Sequence, residues 1–262
     1  MSDHPLDRRL DIAVALAREA GELALKLRPP PGAPAATLKG VQDWLTEADG
    51  AVEAFLSTRL AEAFPEDGFE GEETGRGRRG ALRWVVDPID GTANYARGAP
   101  RFCVSLGLLE DRIPLLGVLV APALGETFAA RQGGGATLNG RPIRAAATTD
   151  LGRATIECGW SPRRSNQHFW GLAQAVMASG ATLRASGSGA LGLADVAAGR
   201  IDAYAELHIN LWDVAAALAI LVEAGAVVSP FTAGHGPLEG NPILATAPGI
   251  DLALRAAVGW TD

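Results

Sequence analysis

Apolar residues recur along the first part of the chain with the spacing of helices. Leu10, Val14, Ala17, Ala20, Leu23 and Leu27 line one face of a helix over Leu6 to Leu27, which "RPPPGAP" (28–34) ends. A second helix is predicted from Glu47 to Phe64, with Val52, Phe55, Leu56 and Leu60 inward. The period then shortens. "GFEGEE", "RWVVD", "FCVSLGLLED", "IPLLGVLVAPA" and "ETFAARQ" read as strands, with "EDRIP" as a hairpin loop, and together they predict an antiparallel sheet. After about Ala145 strands and helices alternate. "ATIECGW", "ATLRAS", "IDAYAEL", "AVVSPF" and "ILATAP" are the strands, and helices are expected over Asn166–Ala178, Ala190–Ala198 and Trp212–Ala224. The pattern is α/β with an α+β N-terminal half. It divides into an N-terminal sub-domain over 1–145, carrying most of the candidate ligands, and a C-terminal sub-domain over 146–262 that completes the site.

Composition narrows the function classes. Apolar residues make up 48% and charged residues 20%, the balance of a soluble globular protein. A net charge of −7 disfavours nucleic acid, whose phosphates need a basic face. The strongly apolar run between Arg112 and Glu126 contains two prolines and is shorter than the roughly 18 residues of a membrane span. The N-terminus mixes charges without an apolar core, so a cytoplasmic location is expected. Two cysteines among apolar neighbours and four scattered histidines argue against zinc.

The chemistry concentrates in "WVVDPIDGTANY". Asp87 stands before Pro88 on an extended backbone, and Asp90 is expected near the N-cap of a short helix. Gly91 permits close approach to the backbone, and free N–H groups at a helix start suit an oxyanion. A plain Asx turn followed by a cap explains the twelve residues equally well. Three further acidic segments change that balance. They are "GEE" with Glu72, "LWD" with Asp213, and "TEAD" with Asp49, each explicable alone as a turn, a helix-start acid or a capping box. Together they are hard oxygen ligands at element ends, the set that suits Mg²⁺.

"GEE", "WVVDPIDGTANY" and "LWDVAAALAILVEAG", in this order and at these intervals, resemble the signature blocks of the inositol monophosphatase family. The likeness extends to "LTEAD", "GVLVAPALGETFAARQGGGATLNGRPI" and "VAAGRIDAYAE". That resemblance implies a layered αβαβα sandwich of the sugar-phosphatase type, usually a homodimer, and a lithium-sensitive phosphomonoesterase needing two or three Mg²⁺ and acting on a small phosphorylated metabolite. It implies metal ligation by Glu72, Asp87, the Ile89 carbonyl, Asp90 and Asp213, with Asp49 beside a third position. Glu72 and Thr92 would orient the attacking water, and the backbone of Asp90, Gly91 and Thr92 would hold the phosphate. Gly187, Ser188 and Gly189 would lie beside the inositol ring, and Glu206 would bind its hydroxyls. Four converging carboxylates carry −4, which two Mg²⁺ balance. An Asp87 bridge would set the ions about 3.5–4 Å apart. The resemblance assigns no role to Lys39 or to the basic loop Gly75–Gly80.

Other readings compete. "GSGALG" (Gly187–Gly192) fits the dinucleotide pattern, with Asp213 following, but the preceding "ATLRAS" is not a strongly apolar strand. A silent binding protein of the same fold would not need the full acid set. No GxSxG elbow is present for a serine hydrolase. Within the superfamily, histidinol phosphate, fructose 1,6-bisphosphate and adenosine bisphosphates are alternative substrates to inositol monophosphate.

Overall fold

The structure is a computed structural model that describes residues 4–30, 37–40 and 43–262. The side chain of Lys39 and most of the Pro/Ala loop lie outside the described residues. Helix α1 (Asp7–Leu27) is followed by a small hairpin, β1 (Thr37–Gly40) and β2 (Asp43–Leu45), and then by α2 (Glu47–Ala63). An eight-stranded sheet comes next: β3 (Gly68–Gly71), β4 (Gly75–Arg76), β5 (Leu82–Asp90), β6 (Cys103–Glu110), β7 (Ile113–Ala121), β8 (Glu126–Arg131), β9 (Gly135–Leu138) and β10 (Arg141–Pro142). The short helix α3 (Thr92–Ala96) leaves the end of β5. The second sheet has the order β12-β11-β13-β15-β14. Its strands are β11 (Thr155–Cys158), β12 (Thr182–Arg184), β13 (Ala203–Ile209), β14 (Val227–Val228) and β15 (Asn241–Thr246). Helices α4 (Asn166–Ala178), α5 (Gly189–Ala197), α6 (Leu211–Glu223), α7 (Gly236–Glu239) and α8 (Asp251–Val258) complete the chain.

Five layers result. α1 and α2 cover one face of the large sheet, α5 and α6 lie between the two sheets, and α4 and α8 cover the far face of the small one. The strands of the large sheet read as continuous apolar runs because both faces are buried. Trp84 and Val86 join the α1/α2 core, while Val85 joins the α5/α6 core. Helix α6 is apolar on every side for the same reason, with Val214 through Leu221 all buried. Its close seat depends on two glycines paired across β6 and β7, Gly107 and Gly117. A Cβ on Gly107 would stand 2.6 Å from the Ala215 methyl, and one on Gly117 would run into the Ala216 carbonyl. This flat seat fixes the start of α6, and with it Asp213.

Two expectations need correction and a third is refined. The large sheet is not purely antiparallel, because β3 pairs parallel to β5, with Gly71 opposite Val86. The buried stripe of α1 is Ala13, Leu16, Ala17, Ala20, Gly21 and Ala24; Leu10, Val14 and Leu23 are only partly covered, and Leu27 is 41% exposed. Small residues face the sheet because the helix lies close to it: a Cβ on Gly21 would stand 3.2–3.4 Å from Val120 and Pro122. Asp90 is not the cap of α3. The strand runs through it, and Gly91 is the cap, at φ +86°, where a side chain would be strained. Among the described residues no helix is long and apolar enough to cross a membrane.

Candidate active site

Asp87 and Asp90 are three residues apart, and a regular strand would send them to opposite faces. The pairing of β5 with β6 shifts register between them, and this irregularity turns Asp90 to the side of Asp87. Val85, two residues before Asp87 on the same face, packs on the α5/α6 core, so both acids face the start of α6. Asp213 is the third residue of that helix, where its Oδ2 accepts the Asn210 N–H at 2.8 Å. Oxygens of Asp87, Asp90 and Asp213 all lie within 4.8 Å of one another. The parallel β3–β5 pair brings Glu72 to the same end, with its N–H on the Val86 carbonyl at 3.1 Å.

Each of the three aspartates is held, and each resists ionisation. Asp87 Oδ1 accepts the Ile89 N–H at 2.9 Å across Pro88. Burial, then the charges of Glu72, Asp90, Asp213 and Asp49, pushes its carboxyl well above the usual range. Asp90 accepts the Ser188 hydroxyl together with the Gly189 and Ala190 amides, each at 3.2 Å. Burial nevertheless raises it to about 6. Asp213 is raised to about 7 by burial and by the charge of Asp90. Among the described residues no lysine or arginine forms an ion pair with any of the three. Such a cluster is stable when ionised only around a cation, and hard carboxylate oxygens with no thiolate among them fit magnesium. The Cys103 thiol, 3.8 Å from Asp90, is pushed well up by burial and is no thiolate.

Thr92 Oγ1 donates to the Ile89 carbonyl at 2.9 Å and lies 3.5 Å from Asp49 Oδ1. Asp49 closes the capping box of α2, accepting the Thr46 N–H at 2.7 Å and its hydroxyl at 2.6 Å. It stands outside the three-carboxylate cluster. The first intrahelical bond of α3 begins at the Gly91 carbonyl, so the Thr92 and Ala93 amides precede it and lie along the cavity wall.

The acids open onto a cavity of about 460 Å³ between the two sheets. Glu72, Asp90, Gly91 and Thr92 line one side; Gly187, Ser188, Gly189 and Glu206 line the other. Glu206, 7% exposed, accepts the Tyr204 hydroxyl at 2.5 Å, and burial pushes its carboxyl up to about 8 against that bond. The GxGxxG segment is therefore the start of α5, whose amides and Ser188 hydroxyl are turned onto Asp90.

Some members of the site were missed. Ser188 is a predicted site residue and lines the cavity, but its bond to Asp90 is not among the expectations. Tyr204 stands two residues before Glu206 on one strand face, a period-2 pairing visible in "YAE". Glu157 lies on the cavity wall, bonded to Ser186 Oγ at 3.0 Å and Arg101 at 3.4 Å. Its signal was an acid within the apolar run "ATIEC".

A family model described as "Inositol monophosphatase family" matches residues 6–259. "Nus factor SuhB" of Xylella fastidiosa is 39% identical over 87% of this chain and 84% of its own length. "Inositol-1-monophosphatase" of Mesorhizobium japonicum is 38% identical over 85% of each chain. The crystal structure of extragenic suppressor protein suhB from Bartonella henselae matches with a TM-score of 0.89 and 31% identity, covering 96% of this chain and 98% of that one.

Proposed function

Because the chain belongs to the inositol monophosphatase family, we propose that it is a magnesium-dependent phosphomonoesterase of small polyol phosphates, inositol monophosphate first among them. The observation that carries this reading is one cavity lined by Asp90 and Asp213, whose cluster includes the buried Asp87, and by the Glu206 carboxyl. Those three aspartates and Glu72 would hold the metal, with the Ile89 carbonyl as a neutral oxygen and Asp49 beside a third position. Magnesium bound there supplies charge neutralisation of phosphoryl oxygens and a nucleophilic water.

The chain supplies positioning. Thr92, its hydroxyl already directed by Ile89 and Asp49, and Glu72 orient the water. The backbone at Asp90, Gly91 and Thr92 holds phosphate oxygens, a fixed set of donors that needs no reorganisation during reaction. Gly187 to Gly189 shape the side facing the alcohol. Tyr204 occupies Glu206 Oε2, which leaves Oε1 to accept a substrate hydroxyl.

Histidinol phosphate is the second substrate to test, because Glu157 adds another acid to the alcohol wall that would meet an ammonium group. The intact acid set favours hydrolysis over a role confined to that named in the SuhB relatives. The test is phosphate release from inositol 1-phosphate, histidinol phosphate, fructose 1,6-bisphosphate and p-nitrophenyl phosphate, with Mg²⁺ and with chelator. Fastest Mg²⁺-dependent release from inositol 1-phosphate is expected. Absence of Mg²⁺-dependent release from all four would overturn the reading.

A further inference from the structure

Glu53 has no part in the site as described, yet it is 1% exposed, and a buried carboxylate requires partners. It lies one turn after Asp49 on the same face of α2, a relation the i,i+4 spacing of "DGAVE" encodes. Its two oxygens are used separately. Oε2 accepts the Glu73 N–H at 2.8 Å and Oε1 accepts the Thr74 N–H at 2.9 Å, twenty and twenty-one residues along the chain. These amides form the turn that follows β3, and the residue between that strand and that turn is Glu72. The Glu72 backbone is therefore pinned on one side by its N–H on the Val86 carbonyl and on the other by the Glu53 carboxylate. The contact leaves no slack. A Cβ at Gly71 would run into the Glu53 carboxyl group, so the glycine of "GEE" is required by this clasp.

We propose that Glu53 is a positioning residue for catalysis, acting through the turn it clasps to aim the Glu72 carboxylate into the active-site cavity. The proposal rests on the reading of Glu72 as a metal and water ligand. Helix α2 thereby serves the site twice: Asp49 stands near the Thr92 hydroxyl, and Glu53 fixes the backbone of Glu72. A carboxylate meets both N–H groups. An amide of the same shape offers one oxygen, so one N–H of the turn faces an NH₂ and must move away.

The test compares Glu53→Gln, Gly71→Ala and Glu72→Gln by Mg²⁺-dependent hydrolysis of p-nitrophenyl phosphate, alongside Tm. Glu53→Gln is expected to lower kcat at least tenfold and raise the Mg²⁺ half-saturation several-fold, with KM for the ester within twofold. Gly71→Ala, which displaces the carboxylate from the other side, should reproduce this split even where Glu53→Gln yields no folded protein. A merely structural acid would lower Tm and leave the kcat and Mg²⁺ response of the folded enzyme unchanged. With Glu72→Gln inactive, that outcome, in Glu53→Gln or Gly71→Ala, overturns the proposal. Wild-type activity in Glu72→Gln would overturn the reading of Glu72 itself.

Discussion

The two walls of the cavity are both built of carboxyl groups pushed upward by burial, and they solve that problem differently. On the metal wall Asp87, Asp90 and Asp213 face one another; burial raises each first, and the Asp90 charge adds to the pressure on Asp87 and Asp213. On the alcohol wall Glu206 stands with a tyrosine, not another acid, against its outer oxygen. On one wall, among the described residues, the clustered carboxyls form no ion pair with a lysine or arginine. The other holds Glu206, with one oxygen committed and one open, near a Glu157 already paired with Arg101. The difference teaches that acid content alone does not define a site: mutual proximity calls for a cation, and a hydroxyl partner prepares an acid to read a neutral ligand.

The largest test of this contrast is Asp90→Asn. With its amide oxygen in the Oδ2 position the asparagine would keep the Ser188 hydroxyl and the Ala190 N–H, and only the Gly189 N–H on Oδ1 would lose its acceptor, so the fold should persist. Loss of one charge from the cluster should cost an ion and on the order of 10³-fold or more in kcat for every ester. Activity within threefold of wild type would remove the metal wall from the mechanism. Thr92→Ala should come next, with a kcat loss on the order of 10²-fold and little change in KM. A change confined to KM would make Thr92 a phosphate holder and not a water-orienting group.

Glu206→Gln separates the walls. The single amide oxygen cannot serve both the Tyr204 hydroxyl and a substrate hydroxyl, so turnover of inositol 1-phosphate should weaken by roughly 1–3 kcal/mol. Hydrolysis of p-nitrophenyl phosphate, which offers no ring hydroxyl, should barely change. Equal losses on both esters would place Glu206 with the metal wall, and no loss on either would take it out of the site.

The two walls also differ in how legible they were. The proposed metal ligands sit in short motifs whose residue types and order are local, so Asp87, Asp90 and Asp213 could be picked out from the chain as candidates. How they converge was not local. It depends on the register shift in β5, on the parallel entry of β3, and on the seat that Gly107 and Gly117 leave for α6. Periodicity found the helices but misplaced the inner face of α1, because close packing selected alanines over the larger Leu10, Val14 and Leu23. The strands β9 and β10, a short hairpin of Gly, Thr, Asn and Arg, carry too little apolar pattern to be recognised, and α8 went unread at the chain end. The clasps were least visible. Glu53 on the "GEE" turn and Ser188 on Asp90 join residues twenty and ninety-eight positions apart, and only the folded backbone brings them together.

The smallest predicted effect is on stability and tests the metal wall without any substrate. In metal-free protein Asp90 titrates near 6 and Asp213 near 7, both above the values near 4 of an unfolded chain. Between those limits the native state holds more protons than the unfolded state, so stability declines as pH rises, by at most about 1.4 kcal/mol per pH unit for each extra proton. Asp87, raised well above the usual range, extends the decline to higher pH, and Glu206, raised to about 8, adds a share of its own. His208, whose ring burial holds below 6.5, works in the opposite sense but only at lower pH, so 6.5 to 8 is the informative window. In chelator, Tm should fall by a few degrees across that window. Saturating Mg²⁺ should reverse the share that comes from the aspartates, because protons and metal compete for the same oxygens, and should stabilise the protein by about 1 kcal/mol more at pH 8 than at pH 6.5. The alcohol wall should not contribute to the difference, so Glu206→Gln should keep it while Asp213→Asn should reduce it. An Mg²⁺-induced shift of equal size at both pH values would show that the three aspartates are not the oxygens the metal occupies.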